Sequence, residues 1–310
     1  MENLLLIGSN ALKKAALNEN VKTHILKDPV LYKTLKKAAD RYIGGENLEE
    51  TIMKVIDQNK NGMKCSLEFM GENTATIQEA HQATNEFIRI AKQIKNQNLN
   101  ATISLDLSHI GLAISKDLCF ENLTQICKEA KNIEVTISAE GTEKTDNVMD
   151  TYIKGSKQFD NLSITLQAYL YRSKDDFKEL IKEKGRIRIV KGAFETPEGL
   201  SIPRGKELDE TYLYYLDELL SKNHRCAIAT HHHFIQEEAA KRIDFYKTDS
   251  ELYEFESLYG IETDQLDNLK MRGYNTKLYF VYGAEWYLYL CNRIAEYPMN
   301  IFRALSDIVN

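Results

Sequence analysis

Eight short runs of β-branched and other apolar residues recur along the chain, and longer polar segments with helical periodicity separate them. The runs lie at 63–70, 101–107, 134–140, 162–169, 186–194, 226–231, 253–259 and 277–282. Helical spacing of apolar residues marks the segments between them, including 76–97 and 207–220. Eight strands that alternate with helices predict an α/β fold, a distorted (β/α)8 barrel of the TIM type. A doubly wound open sheet shares this alternation and stays the structural alternative.

The first 60 residues show helical patterning, with Leu31, Leu35, Ala38 and Tyr42 on one face. We therefore expect an N-terminal helical segment over 1–60 that packs on a barrel formed by 61–310. A further helix is predicted over 300–309, and its apolar residues are expected to pack against the barrel. These are Ile301, Phe302, Leu305 and Ile308.

Composition excludes several classes of protein. The 310 residues include 46 acidic and 40 basic ones, and this net charge of −6 argues against a nucleic-acid binder. No apolar run approaches the ~18 residues of a membrane span, and the first residues lack the basic start of a signal peptide. Five scattered cysteines with no C-x-x-C pair are typical of reduced thiols, so we expect a cytoplasmic protein.

Polar and charged residues cluster where the predicted strands end, which is where a barrel builds its active site. They are Glu68, Asp106, Ser108, His109, Ser138, Glu140, Gln167, Tyr169, Arg188, Lys191, His231, His232, His233, Glu256, Tyr279 and Tyr282. Any one of them could instead belong to a structural ion pair or a solvated edge. Their density at all eight ends favours a site.

Several motifs of other sites are absent from the sequence. There is no P-loop, no G-x-G-x-x-G, no G-x-S-x-G elbow and no zinc spacing. Three consecutive histidines, 231–233, would alternate between the two faces of a strand, so they cannot converge on one ion. We expect no metal site.

A set of motifs then falls in order on the predicted strands. They are LEFMGE at 67–72, LQAYLYR at 166–172, RIVKGAF at 188–194, ATH at 229–231, YEF with LYG over 253–260, the segment 279–283, and YLCNRIAE at 289–296. Together they resemble the flavin-dependent proline dehydrogenase family, in its monofunctional bacterial type. The resemblance covers about residues 40–300.

The resemblance implies an FAD-dependent dehydrogenase that acts on CH–NH donors in proline catabolism. A hydride would leave the carbon next to the nitrogen of proline, or of a related amine or imino acid, and reach flavin N5. The product would be an imine, and electrons would pass to a quinone or another acceptor. By motif position, the cofactor-binding residues would be Gln167, Arg188, Lys191, Gly192, Ala193, Thr230, His231 and Glu256.

The resemblance also assigns the substrate pocket. Arg188, Tyr279 and Arg293 would be catalytic, with Arg188 beside flavin N5, Tyr279 as a pocket wall and Arg293 on the substrate carboxylate. Glu296 lies three residues after Arg293 on one helix and is placed to pair with it. The substrate-binding residues would be Asp106, Ser138, Tyr279, Tyr289, Asn292, Arg293 and Glu296.

Three positions depart from the family pattern. Asp106 stands where the family has a lysine, Ser138 where it has an acid, and Asn292-Arg293 where it has two arginines. Two like charges ~4 Å apart repel by about 4 kcal/mol at an effective dielectric near 20. We therefore expect L-proline to be a poor substrate and a secondary amine without the carboxylate to fit better. The alternative is that Asp106 caps a strand end and points to solvent.

Two other functions stay open at this point. One is a flavin barrel like methylenetetrahydrofolate reductase, and the other is a flavin-binding protein that acts as a sensor or partner without turnover. We expect no nucleic-acid partner and at most a peripheral membrane contact through the 300–309 helix.

Overall fold

A computed structural model describes residues 2–71, 73–296 and 299–309; Glu72, part of the first motif, lies outside them. Eight parallel strands close into one barrel in sequence order, which confirms the barrel over the open sheet. The strands are β1 (Lys64–Phe69), β2 (Ala101–Leu105), β3 (Val135–Ile137), β4 (Leu162–Gln167), β5 (Ile187–Val190), β6 (Cys226–Ala229), β7 (Tyr253–Leu258) and β8 (Thr276–Tyr282). Most are shorter than the predicted runs because their polar carboxyl ends belong to loops.

Helices precede the barrel, connect its strands and follow it. They are α1 (Glu2–Ala16), α2 (Glu19–Lys27), α3 (Pro29–Ala39), α4 (Leu48–Lys60), α5 (Ile77–Asn96), α6 (Lys116–Ala130), α7 (Thr145–Ser156), α8 (Ser173–Leu180), α9 (Lys206–Ser221), α10 (His233–Tyr246), α11 (Thr263–Met271), α12 (Trp286–Glu296) and α13 (Asn300–Val309). The predicted helices at 76–97, 207–220 and 300–309 are confirmed as α5, α9 and α13. Thr76 and Glu79 form a capping box that begins α5.

Alternate residues of each strand face two different environments. On β5, Ile187 and Ile189 lie in the apolar core between barrel and helices. Arg188, between them, points inside the barrel, where it contacts β2, β4 and β7. The barrel interior is thus unusually polar, and the apolar core lies around it.

Five charged residues fill the interior near the amino-terminal ends of the strands. We call this set the ionic layer: Lys64, Glu134, Arg186, Glu254 and Lys277. Lys277 Nζ lies 2.5 Å from Glu254 Oε1, and Arg186 Nε lies 3.2 Å from Glu134 Oε2. Burial alone would raise the pKa of Glu254, but Lys277, Arg186 and Lys64 hold that pKa well below its ordinary value. Every charge of the layer has an opposite charge from the chain.

The N-terminal helices pack near the carboxyl end of β8. Gly44 donates its N–H to the carbonyl of Val281 at 2.7 Å, and Gly45 forms a parallel bridge with Tyr282. Helix α1 packs on α12, where Ser9 Oγ donates to the Ala295 carbonyl at 2.7 Å. The predicted division into units at residue 60 stays a prediction.

Helix α13 differs in part from its prediction. Ala304 is buried and Ile308 packs on the cluster around Trp286, but Phe302 and Leu305 are more than half exposed. The expected packing is therefore present only in part: the helix packs on α3 and α12, while Phe302 and Leu305 stay uncovered. Within the described ranges, no helix is long and apolar enough to cross a bilayer.

Candidate active site

A cavity of about 1350 Å³ opens at the carboxyl ends of the strands, under helix α12. This is larger than the ~300–1,000 Å³ of common ligand pockets, so it has room for a large cofactor and a small substrate. Every predicted site residue lines it: Asp106, Ser138, Gln167, Arg188, Lys191, Gly192, Ala193, Thr230, His231, Glu256, Tyr279, Tyr289, Asn292, Arg293 and Glu296. The barrel brings the predicted set together.

Arg188 is held at the base of this cavity by neighbours from several strands. Its Nε donates to Thr165 Oγ1 at 2.9 Å, and Nη1 donates to Glu256 Oε1 and Ser104 Oγ, both at 3.0 Å. Burial opposes the charge, but Glu256, Tyr279 and Glu68 hold the pKa of Arg188 above its ordinary value. The site therefore contains a fixed cation that can stabilise developing negative charge.

Glu68, Ser138 and Tyr279 form a second cluster beside Arg188. Ser138 Oγ donates to Glu68 Oε2 at 2.7 Å, and the Tyr279 hydroxyl donates a short hydrogen bond to the same oxygen. Arg188 Nη2 donates to Ser138 Oγ at 3.1 Å and joins the two groups. Burial raises the pKa of Tyr279 well above its ordinary value, so its hydroxyl stays protonated.

Helix α12 supplies the outer wall of the cavity. Arg293 Nη2 donates to Glu296, so the predicted pair is present, and the guanidinium lies 5.0 Å from the centre of the Tyr289 ring. Arg293 Nε is buried and finds no hydrogen-bond partner among the described residues. A buried cationic donor without a partner is costly, so this nitrogen is suited to an anionic ligand group. Asn292 lines the cavity beside it.

Two further side chains present polar atoms to the cavity. Gln167 Nε2 donates to the Glu140 carbonyl at 3.0 Å, while its Oε1 is buried with no donor in the described part of the chain. Leu258 donates its N–H to His231 Nε2 at 3.0 Å, so the imidazole carries its proton on Nδ1. Burial, with Arg293 nearby, lowers the pKa of His231 to about 4. His231 is therefore neutral at pH 7.

Gly192, assigned to cofactor binding by the resemblance, also meets a requirement of the chain's own packing. Its φ is +114°, and a Cβ at this position would lie 2.1 Å from the Tyr169 ring. The close approach that requires glycine is thus to the protein's own aromatic ring. Lys191, next to it, pairs with Asp209 at 2.5 Å and lies 2.9 Å from His232 Nδ1. Of the three consecutive histidines, His231 is half-buried, while His232 and His233 are exposed.

Among the cavity residues to which the sequence gave no role are Glu68 and Arg204. Glu68 is a charged strand end and part of the LEFMGE motif, but the sequence gives it no role in the site. The signal that points to a role is its position two residues beyond Ser66 on the inward face of β1. Arg204 lies in the loop after β5, where Nη2 donates to the Gly192 carbonyl at 3.0 Å. No periodic pattern places a loop residue, so Arg204 gave no sequence signal. Asp106 lines the cavity.

Comparison with known proteins decides the family. The family model described as proline dehydrogenase matches residues 52–298. The chain belongs to this family. Proline dehydrogenase 2 of Bacillus subtilis (strain 168) is 33% identical over 280 residues, covering 87% of this chain and 90% of that protein. Proline dehydrogenase of Deinococcus radiodurans is 26% identical over 269 residues, covering 84% and 87%.

Solved structures agree on the fold. Proline utilization A of Bdellovibrio bacteriovorus, inactivated by N-propargylglycine, superposes with a TM-score of 0.79 at 20% identity. Proline utilization A of Corynebacterium freiburgense gives 0.71 at 17%. The matches cover 94% and 95% of this chain but only 37% and 35% of those longer chains. Membership of the proline dehydrogenase family also decides against the methylenetetrahydrofolate reductase alternative.

The proline dehydrogenase family is flavin-dependent, and the residues of this cavity fit such a group. Gln167 Oε1 is a buried acceptor that needs a donor, and a flavin ring offers N–H groups at its edge. The fixed cation of Arg188 suits a ring system that gains negative charge on reduction. The unpartnered atoms and the charge of the site therefore agree with the family.

Proposed function

We propose that this protein is an FAD-dependent dehydrogenase that oxidises the CH–NH bond of proline or a related secondary cyclic amine to an imine. The observation that carries the proposal is the placement of Arg188, Tyr279 and Arg293 around one cavity in a chain of this family. When bound, FAD supplies the acceptor for the hydride at N5. The cytoplasmic location and the identity of the electron acceptor, quinone or other, stay predictions.

The side chains have distinct tasks in this proposal. Arg188, held by Glu256, stabilises charge at the reacting end of the cofactor, and Gln167 offers Oε1 to the flavin edge. His231 is neutral and offers Nδ1–H. The remaining cofactor contacts come from Lys191, Gly192, Ala193 and Thr230. Tyr279 forms the wall against which the substrate ring lies.

The substrate end of the cavity favours an amine over an amino acid. Arg293 shares its charge with Glu296, Asn292 adds no cation beside it, and Asp106 adds a negative charge to the lining. Charge-assisted hydrogen bonds are worth about 1.5–3 kcal/mol each. The absence of a second arginine therefore lowers the affinity for a substrate carboxylate roughly 10- to 150-fold. The proposal therefore includes weak binding of L-proline.

Anaerobic mixing of the FAD-loaded protein with L-proline and with pyrrolidine tests the proposal. We expect flavin bleaching at lower concentrations of pyrrolidine, and we expect Asp106→Lys with Asn292→Arg to lower the concentration of proline required. A protein that stays yellow with every secondary amine but bleaches with dithionite would favour the sensor alternative. A protein that cannot take up FAD would overturn the proposal.

A further inference from the structure

The feature that the proposed function leaves unused is the carboxylate of Glu68. Its side chain lies on the inward face of β1, is 9% exposed, and lines the cavity beside Tyr279. Both of its hydroxyl donors, Ser138 and Tyr279, bind Oε2. Among the described residues no donor bonds to Oε1, so one carboxylate oxygen is left to accept a hydrogen bond from a ligand.

The charge of Glu68 is also left without a direct partner of opposite sign. Arg188 makes its ion pair with Glu256; the charge of Arg188 acts on Glu68, but the hydrogen-bonded link between them runs through the hydroxyl of Ser138. No cation within the described ranges lies in ion-pair contact with Glu68. A buried carboxylate bound by neutral hydroxyls is stabilised less than one in an ion pair. A cationic ligand would supply the missing opposite charge.

The chemistry of the reaction requires a group of this kind. A secondary amine is protonated near neutral pH, and an ammonium nitrogen has no lone pair with which to form a C=N bond. Its proton must therefore leave before or during hydride transfer. The other candidates differ: Tyr279 holds its proton, and Glu256 is bound by Arg188 and Lys277.

We propose that Glu68 binds the substrate as a secondary ammonium ion and accepts its proton through Oε1. The proton moves from the ammonium nitrogen to the Glu68 carboxylate, which frees the nitrogen lone pair for the C=N bond; a bound flavin would supply the acceptor for the hydride. The imine leaves as a protonated cation, and Glu68 returns its proton to solvent. This inference rests on the proposed function and names its substrate class as cations that carry an N–H.

Several groups set the proton affinity of Glu68. Burial raises the pKa of Glu68 above its ordinary value, while the hydrogen bonds of Tyr279 and Ser138 and the charge of Arg188 lower it. Glu140 raises the pKa of Glu68 further, and the half-buried Tyr289 of α12 lies near it in the cavity lining. A carboxyl with a raised pKa is a better base than an ordinary one.

The first test is the pH dependence of flavin reduction by pyrrolidine, followed anaerobically in a stopped-flow instrument. In the wild type, the rate of flavin reduction should fall at low pH, because protonated Glu68 cannot accept the substrate's proton. This fall is the acid limb of the pH profile. Glu68→Gln keeps an oxygen for the two hydroxyls, and we expect it to reduce flavin about 10²–10⁴-fold more slowly and to lose that limb. Glu68→Asp should restore part of the rate.

Two further variants separate Glu68 from its neighbours. Asp106→Asn removes the carboxylate at the end of β2 and should leave the acid limb in place. Tyr279→Phe should shift the limb to higher pH, because the lost hydrogen bond no longer lowers the pKa of Glu68. Loss of the limb in Asp106→Asn, or a Glu68→Gln rate within threefold of the wild type, would overturn the inference.

The second test does not depend on turnover. Calorimetric titration uses the FAD-loaded protein with its flavin already reduced by dithionite, and it compares pyrrolidine, which is a cation with N–H groups at neutral pH, with tetrahydrofuran, a neutral ring of the same size. Glu68→Gln should weaken binding of the cation at least tenfold and change binding of the ether less than threefold. Equal weakening of both probes would show a merely structural role, and no binding of the cation to the wild type would also overturn the inference. Failure of the proposed function would appear separately, as a wild type that no amine reduces.

Discussion

The barrel interior contains two charged regions that lie two residues apart on the same strands. In the ionic layer, Arg186, Glu254 and Lys277 satisfy one another. One step toward the carboxyl ends, the corresponding positions hold Arg188, Glu256 and Tyr279, together with Glu68. There the pairing is incomplete and a cavity begins. The same strand periodicity thus builds a closed structural network and an open binding site, and the difference is whether the chain supplies every counter-charge.

Lys277→Met disrupts the ionic layer and should have the largest effect on the free energy of unfolding. Lys277 is 1% exposed and lies between Glu254 and Glu256, so its removal leaves buried carboxylates with less positive charge. Removal of one member of a buried ion pair costs about 3–5 kcal/mol. Urea unfolding should show a fall of this size in the free energy of unfolding.

The matched control is Lys182→Ala, which removes an exposed lysine from its 2.7 Å pair with Glu179. Exposed pairs contribute about 0–1 kcal/mol, so this change should be small. If both variants lost the same free energy of unfolding, the ion pairs of the ionic layer would contribute no more to stability than an exposed pair.

His231→Gln tests how the contribution of a cavity residue to stability depends on pH. The pKa of His231 is about 4 in the folded protein against an ordinary 6.5, so the unfolded chain takes up the proton first as pH falls. Its contribution to stability is present above pH 6.5 and is lost as pH falls through 4. A shift of this size corresponds to about 3 kcal/mol.

The measurement is the difference in unfolding free energy between wild type and His231→Gln at several pH values. This difference should shrink between pH 7 and pH 4.5. His109, whose pKa burial also lowers to about 4, is present in both proteins and cancels. A difference that stays constant with pH would show that the imidazole gains nothing from being neutral.

Arg293→Met should have the smallest effect on stability and act on ligand binding. Its side chain is 15% exposed and lies on α12, away from the ionic layer. Loss of one charge-assisted contact should weaken L-proline binding by about 2 kcal/mol, roughly 30-fold, and leave pyrrolidine binding nearly unchanged. Equal weakening of both ligands, measured by flavin absorbance, would contradict a carboxylate contact.

The barrel could be predicted from the sequence because its outward face is apolar with a period of two. Seven of the eight predicted runs contain one strand each, the eighth starts one residue inside β8, and the cap residues Thr76 and Gln97 bound α5 as predicted. The 186–194 run contains three cations, Arg186, Arg188 and Lys191, and the sequence does not show which of them share the barrel interior. Arg186 and Arg188 belong to two different layers, and Lys191 lies beyond the strand.

The site was harder to predict because pairings across the barrel are not local. The resemblance placed Arg188 and Arg293, but it did not show that Ser138 and Tyr279 would converge on Glu68, 70 and 211 residues away in sequence. Arg204 was missed because a loop has no periodicity. Contacts between distant strands depend on barrel closure, and no sequence window contains that information.

The packing of α1 and α3 on α12 bears on the choice of an N-terminal boundary for a truncated chain. The family match begins at residue 52, and a shortened chain starting there would lack the first three helices. Trp286, now 1% exposed and in edge contact with Tyr32, would lose its cover, as would Leu290. Such a chain would expose an aromatic surface directly behind Tyr289 and Arg293. A boundary drawn by homology would therefore damage the substrate side of the enzyme and leave the ionic layer intact.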